Sequence, residues 1–145
     1  MKRVRAFVDT NVLVDLLAGD RPCSSFAKQL FQAAKDGLIE LFLTTQSFLD
    51  AAYISMKTYK VRESHFSMVA RSLMSFVNVG YIDSFELRDA LWGESEDIED
   101  AAQYAHADSL GCDVIVTSDR RFASQRSLIG GMEILSPEEC IDRMK

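Results

Sequence analysis

Short apolar runs alternate with longer stretches of helical periodicity along the chain, and that alternation constrains the fold more than any other feature. The runs are VRAFVD (Val4 to Asp9), LIELFLT (Leu38 to Thr44), FVNVGYI (Phe76 to Ile82), DVIVTS (Asp113 to Ser118) and MEIL (Met132 to Leu135). The first, with Val4, Ala6, Phe7 and Val8, is nearly continuous, as in a strand buried on both faces. Glycines follow the helical stretches: Gly19 after NVLVDLLA, Gly37 after SSFAKQLFQAAKD and Gly111 after DIEDAAQYAHADSL. Each stands where a left-handed residue ends a helix. Near the C-terminus, SPEE supplies Ser136 as N-cap, Pro137 at the first helical position and Glu139 as the partner in a capping box. Strands alternating with helices predict a three-layer α/β/α fold around a central, mostly parallel sheet of about five strands.

A chain of 145 residues with 48% hydrophobic content accommodates one domain, over residues 1–145, with a substantial core. Charges break the longest apolar stretches, and MKRVRAFV lacks the apolar region of a signal peptide, so a cytoplasmic protein with no membrane partner is expected. Cys23, Cys112 and Cys140 are widely spaced without a CxxC, which suggests neither a disulfide framework nor a zinc cluster; they read as small core or surface residues. The balance of 16 Lys+Arg against 22 Asp+Glu argues against a broadly basic nucleic-acid platform. It leaves room for a local basic patch, or for a site where metal ions supply the positive charge.

In doubly wound sheets, ligands bind beyond the carboxyl ends of the strands, so the acids that end strands matter. Asp9 follows the first run, and Asp119 follows VIVTS; each can also serve as a helix N-cap. The densest acidic stretch, GESEDIED, opens a predicted helix, where negative side chains favour the helix dipole. Asp97 and Asp100 are spaced i,i+3 and are expected on one face, with Glu99 turned roughly 100° away from Asp100. Asp50, in TTQSFLDAAYISM, is expected inside a helix near the core, where an acid needs a cationic partner or a metal. Oxygen ligands without His or Cys favour Mg²⁺ or Mn²⁺ over zinc. Two such ions about 3.5–4 Å apart can hold the attacking and leaving oxygens of an in-line displacement at phosphorus.

These residues resemble a PIN domain, the fold of metal-dependent ribonucleases that includes the VapC-like toxins. The resemblance covers essentially the whole chain, and its specific parts are FVDTNVLVDLL, SFLDAAYI, DIEDAAQYAHADSLGCDVIVTSDRRF and EILSPEEC. It implies metal-binding acids at Asp9, Asp100 and Asp119, with Asp97 as an accessory. The remaining family acid falls on Asp50 where Glu is common; a side chain shorter by one C–C bond implies a looser metal position or a water bridge. Thr10 and Asn11 match the polar pair after the first acid and are expected to hydrogen-bond within the carboxylate shell, and Thr117 to orient a ligand. The implied activity is hydrolysis of RNA phosphodiester bonds with Mg²⁺ or Mn²⁺, as the toxin of a toxin–antitoxin pair. Implied partners are an RNA substrate, an antitoxin protein and a second copy in a homodimer.

Substrate contacts are expected at Arg120 and Arg121, which adjoin Asp119, with Arg126 and Phe122 nearby; a second basic–aromatic group is Lys57, Lys60 and Arg62 around Tyr59. His65 and His106 read as surface or half-buried residues. The apolar face of FSMVARSLMSF (Phe66 to Phe76) reads as core in preference to a dimer surface. No Gly-rich phosphate loop or G-x-S-x-G is present. Two other classes fit the acids: a non-catalytic PIN-like binding module acting through a partner, and a metal-dependent phosphohydrolase acting on another phosphoester.

Overall fold

The computed structural model describes residues 2–124 and 131–145. Its strands are β1 (Val4–Val8), β2 (Ile39–Thr44), β3 (Asn78–Gly80), β4 (Val114–Val116) and β5 (Glu133–Leu135). All neighbours pair in parallel, in the order β3-β2-β1-β4-β5. The helices among the described residues are α1 (Thr10–Ala18), α2 (Ser24–Lys35), α3 (Thr45–Tyr59), α4 (Glu63–Met74), α5 (Ser84–Trp92), α6 (Ile98–Ser109), α7 (Arg120–Ala123) and α8 (Pro137–Met144). The expected α/β architecture is therefore the one observed.

Alternation along the strands divides the core into two layers. Ala6, Val8, Leu41, Leu43, Val114 and Val116 face one side, against Val12, Leu13, Leu30, Phe48 and Ile141 of the helices. Phe7, Phe42, Ile115 and Ile134 face the other, against Ala107 of α6 and Phe122 of α7. With both faces covered, β1 is written in near-continuous apolar residues, which is why it was legible. Gly19, Gly37 and Gly111 all have left-handed φ, at 79°, 79° and 70°. Ser136 and Glu139 form the expected capping box of α8.

Some boundaries differ from expectation. β3 is limited to Asn78–Gly80 because the N–H groups of Phe76 and Val77 bond to the Leu73 carbonyl and close the end of α4. The GESEDIED stretch opens a helix as expected, but only through its last residues: α6 starts at Ile98, and Asp97 is its extended N-cap. On α4, Leu73 is buried and Phe66, Val69 and Ala70 pack partly against the core, as does Phe76 just beyond the helix, whereas Met68 and Met74 are exposed. The core reading of that face holds only in part, because α4 touches the domain along a narrow stripe.

His106 is neither superficial nor half-buried but enclosed, with Nδ1 at 3.0 Å from Glu86 Oε1. Glu86 belongs to a capping box with Asp83 that starts α5 and turns this carboxylate toward α6. His65 is exposed, as expected. All three cysteines are free, Cys112 and Cys140 within the core. Among the described residues, no helix is long and apolar enough to cross a membrane.

Candidate metal centre

The chain winds outward from β1 through β2 to β3, then crosses back to β4 and β5 on the opposite side of β1. The order therefore reverses between β1 and β4, and a crevice opens beyond their carboxyl ends. Asp9 lies directly after β1, and the pairing of Val8 with Val116 sets the ends of the two strands level. The Asp9 N–H extends the pairing with a 2.9 Å bond to the Val116 carbonyl. Thr117 then joins the acids of the two strands: its Oγ1 donates to Asp9 Oδ2 at 2.8 Å and accepts from the Asp119 N–H at 3.0 Å. One hydroxyl thus fixes the Asp9 carboxylate and the backbone that carries Asp119.

Two helices close the crevice. α6 brings Asp100, which is buried, with Asp97 and Glu99 beside it, and α3 brings Asp50. Together with Asp9 and Asp119, these six acids line one cavity of about 380 Å³, where Arg121 is the basic side chain in the wall. Thr10, Asn11 and Tyr53 complete the polar lining.

The carboxylates disturb one another. Burial pushes the Asp100 carboxyl up to about 7, reinforced in turn by Asp97, Asp9, Asp119 and Glu99. Burial likewise raises Asp9, against hydrogen bonds from Thr117, Gln103 and the Thr10 backbone that favour its charged form. Glu99 is raised by partial burial at the cavity wall and then by Asp9, Asp50, Asp97 and Asp119. In all three, burial is the leading cause and repulsion from neighbouring carboxylates adds to it.

The structure alters several expected roles. Asp97 is not on a shared helical face with Asp100; its Oδ1 accepts the Asp100 N–H at 3.0 Å, so it caps α6 while lining the cavity. Glu99, although the helical period turns it from Asp100 in the first turn, also lines the cavity. Asp50 is half-buried, and its Oδ1 accepts from Gln46 Nε2 at 2.8 Å, an amide partner in place of the cation anticipated for a core position. Thr10 turns its hydroxyl to Ser47 Oγ at 3.1 Å, tying α1 to α3; it supports the shell through its backbone bond to Asp9. Asp119 also caps α7, accepting from the Arg121 N–H at 2.9 Å.

Among the basic residues, Arg121 reaches the cavity, whereas Arg120 is exposed outside its lining. Arg126 lies outside the described residues. Phe122 has no exposed surface and cannot stack on a base. Lys57 sits beside Tyr53, with Nζ 2.6 Å from Oη, and Tyr59 lies under the Arg21 guanidinium. Tyr53 was missed in the sequence although it lies one turn beyond Asp50, as was Gln103 at i+3 from Asp100.

Among the described residues, no three or more His, Cys, Asp or Glu side chains are gathered into a ready-made metal cage. The fit to a hard cation rests on the donor chemistry and the charge: the lining offers carboxylates without His or Cys, and three of its acids are raised by burial and, after it, by their neighbours. Because Thr117 holds both strand-end acids, Thr117→Val is expected to weaken Mn²⁺ binding about 10–100-fold. Calorimetric titration with Mn²⁺ checks this, and an unchanged affinity in a folded variant would reduce Thr117 to a packing residue.

A parallel sheet with acids gathered where its strand order reverses defines a doubly wound α/β protein with an acidic crevice at its switch point. The chain belongs to the PIN domain family, whose model matches residues 6–127. It is similar to "Ribonuclease VapC1" of Aquifex aeolicus (strain VF5), 23% identical over an alignment 145 residues long that covers 99% of this chain and 97% of that protein. Among solved structures, Mycobacterium tuberculosis VapC20, described as a sarcin-ricin loop cleaving toxin, superposes with a TM-score of 0.65 at 16% identity, covering 88% of this chain and 97% of that one. A second, VapBC2 of Rickettsia felis bound to a DNA fragment from their promoter, gives a TM-score of 0.63 at 11% identity over 92% of this chain and 98% of that one.

Proposed function

We propose that this chain is a metal-dependent endoribonuclease that hydrolyses RNA phosphodiester bonds, acting as the toxin of a toxin–antitoxin pair. The observation that carries the reading is the Asp9–Thr117–Asp119 connection at the β1/β4 switch point, facing Asp100 across a cavity crowded with negative charge. The ribonuclease name of the Aquifex relative and the VapBC assembly of the Rickettsia neighbour support substrate and partner class. The unit is one domain over residues 1–145, working in the cytoplasm as a homodimer with an antitoxin protein as its partner.

Asp9, Asp100 and Asp119 hold Mg²⁺ or Mn²⁺, with Asp50, Asp97 and Glu99 completing or tuning the shell. A bound divalent cation supplies the positive charge that balances these acids, makes the attacking water more acidic and stabilises charge on the phosphate oxygens. The chain's own residues do the positioning. Thr117 keeps Asp9 oriented, Thr10 links α1 to the helix bearing Asp50, and the capped first turn of α6 places Asp100. Arg121 in the wall attracts the phosphate, and Tyr53, which is 61% exposed and accompanied by Lys57, offers a ring on which a base can stack. Arg120 engages the backbone outside the cavity.

The test is incubation of the purified chain with a mixed RNA pool under Mg²⁺, Mn²⁺ or chelator, beside Asp9→Asn of verified fold. Cleavage that needs metal and disappears in the variant is expected. Metal-independent cleavage, or activity retained by Asp9→Asn, overturns the reading. Silence from the folded parent, with all metals and RNAs, favours the binding module.

A further inference from the structure

Gln103 lies on α6 one turn beyond Asp100 and is 3% exposed. Its side-chain amide lies close enough to Asp9 to favour the charged carboxylate, while its Oε1 is buried without a hydrogen-bond partner. Burying an amide with its acceptor unmet is unfavourable, and Met or Leu would fill similar space while favouring a helix about equally. Packing alone therefore gives no reason for glutamine here. What an amide adds is a donor aimed at a carboxylate.

Asp9 thus receives donors from two elements, Thr117 beyond β4 and Gln103 on α6. The second has a geometric consequence the first lacks, because Gln103 and Asp100 share a helix. Any rotation or slide of α6 that moves Asp100 also moves the amide. We propose that Gln103 is a positioning residue whose buried amide locks the Asp9 carboxylate to the helix that carries Asp100, so that both acids meet one divalent cation. The inference rests on the reading of the cavity as a cation site. It goes further by assigning the strand-to-helix register of that site to one uncharged side chain.

The experiment is calorimetric titration of the RNA-free full chain with Mn²⁺, comparing the parent with Gln103→Met, Gln103→Leu and an Asp9→Asn control. Both apolar variants are expected to keep the native circular-dichroism spectrum and an undiminished Tm in chelator, yet to bind Mn²⁺ about 10–100-fold more weakly, as loss of an outer hydrogen-bond partner does. RNA cleavage by Gln103→Met is expected to fall at limiting Mn²⁺ and to recover toward the parental rate as Mn²⁺ is raised. A purely structural role would lower Tm and leave affinity alone. Parental affinity to within about twofold of the variants, or loss of the native spectrum in both, overturns the proposal while the cation reading stands. A parent that binds no Mn²⁺ removes both.

Discussion

Asp100→Asn is expected to lose RNA cleavage and, at the same time, to resist unfolding better than the parent when metal is withheld. The two effects share one cause. Asp100 is buried among Asp97, Asp9, Asp119 and Glu99, and its carboxyl is pushed up to about 7. At pH 8 without metal the folded protein must hold it ionised against burial and repulsion. Asparagine keeps the shape and removes the charge. At about 1.4 kcal/mol per pH unit, and with part of the penalty shared among the neighbouring acids, the variant gains about 2 kcal/mol in chelator. In the proposed function the same substitution removes an anionic ligand of the cation, and cleavage should fall by about a hundredfold to a thousandfold or more. Urea unfolding in chelator and RNA cleavage in Mn²⁺, on one preparation, read both quantities. A residue that served only the helix N-terminus would give the opposite pattern, with stability lost and cleavage kept, and that result would remove Asp100 from the site.

That opposition of sign also marks how far the sequence could be read. Strand positions were legible because burial on both faces writes β1 in apolar residues, and the glycine signals at Gly19, Gly37 and Gly111 were legible because a left-handed residue has few occupants. Helix α3 stops instead at Lys60, with φ 58°, and carries no such signal. Acids directly after strands, Asp9 and Asp119, could be placed at the sheet edge from order alone. The first turn of α6 could not, because a one-residue difference in where a helix starts decides whether Asp97 is a face or a cap. It also decides whether Glu99 reaches the crevice. Pairings across long separations left no trace at all: Thr10 with Ser47, and His106 with Glu86. Gln103 is a different case, since its i+3 spacing from Asp100 was visible, but nothing in a helical period says that an amide so placed meets a strand-end carboxylate.

Without metal, the protein should lose stability as pH rises from about 4 through about 7, a trend opposite to that of a protein stabilised by paired carboxylates. The sign follows from Asp100, whose carboxyl titrates near 7 in the folded chain and near the ordinary value of 3.8 in the unfolded one. Between those limits the folded state keeps a proton that the unfolded state has released. Its contribution is present below about 4 and is lost as pH rises through about 7. Asp9 and Glu99 are raised too and add to the slope. Asp15, raised chiefly by burial despite its 2.7 Å contact with Arg21 Nε, adds to it from outside the cavity. Glu86 acts in the other direction: the bonds from Ser109, the Asp83 backbone and His106 outweigh its burial and lower it, so its contribution is lost only in acid. In the proposed site Mn²⁺ binds the ionised acids, so it should raise Tm far more at pH 8 than at pH 5, its stabilisation reaching about 2.7 kcal/mol at a hundred times its Kd. Thermal melts from pH 5 to 8.5, in chelator and in Mn²⁺, measure both slopes. Asp100→Asn should flatten the chelator curve toward the residual slope of Asp9, Glu99 and Asp15 and remove most of the Mn²⁺ gain. A chelator curve that is level or rising across that range would mean the cavity acids are already balanced within the folded chain, and the centre would then have no need of a cation.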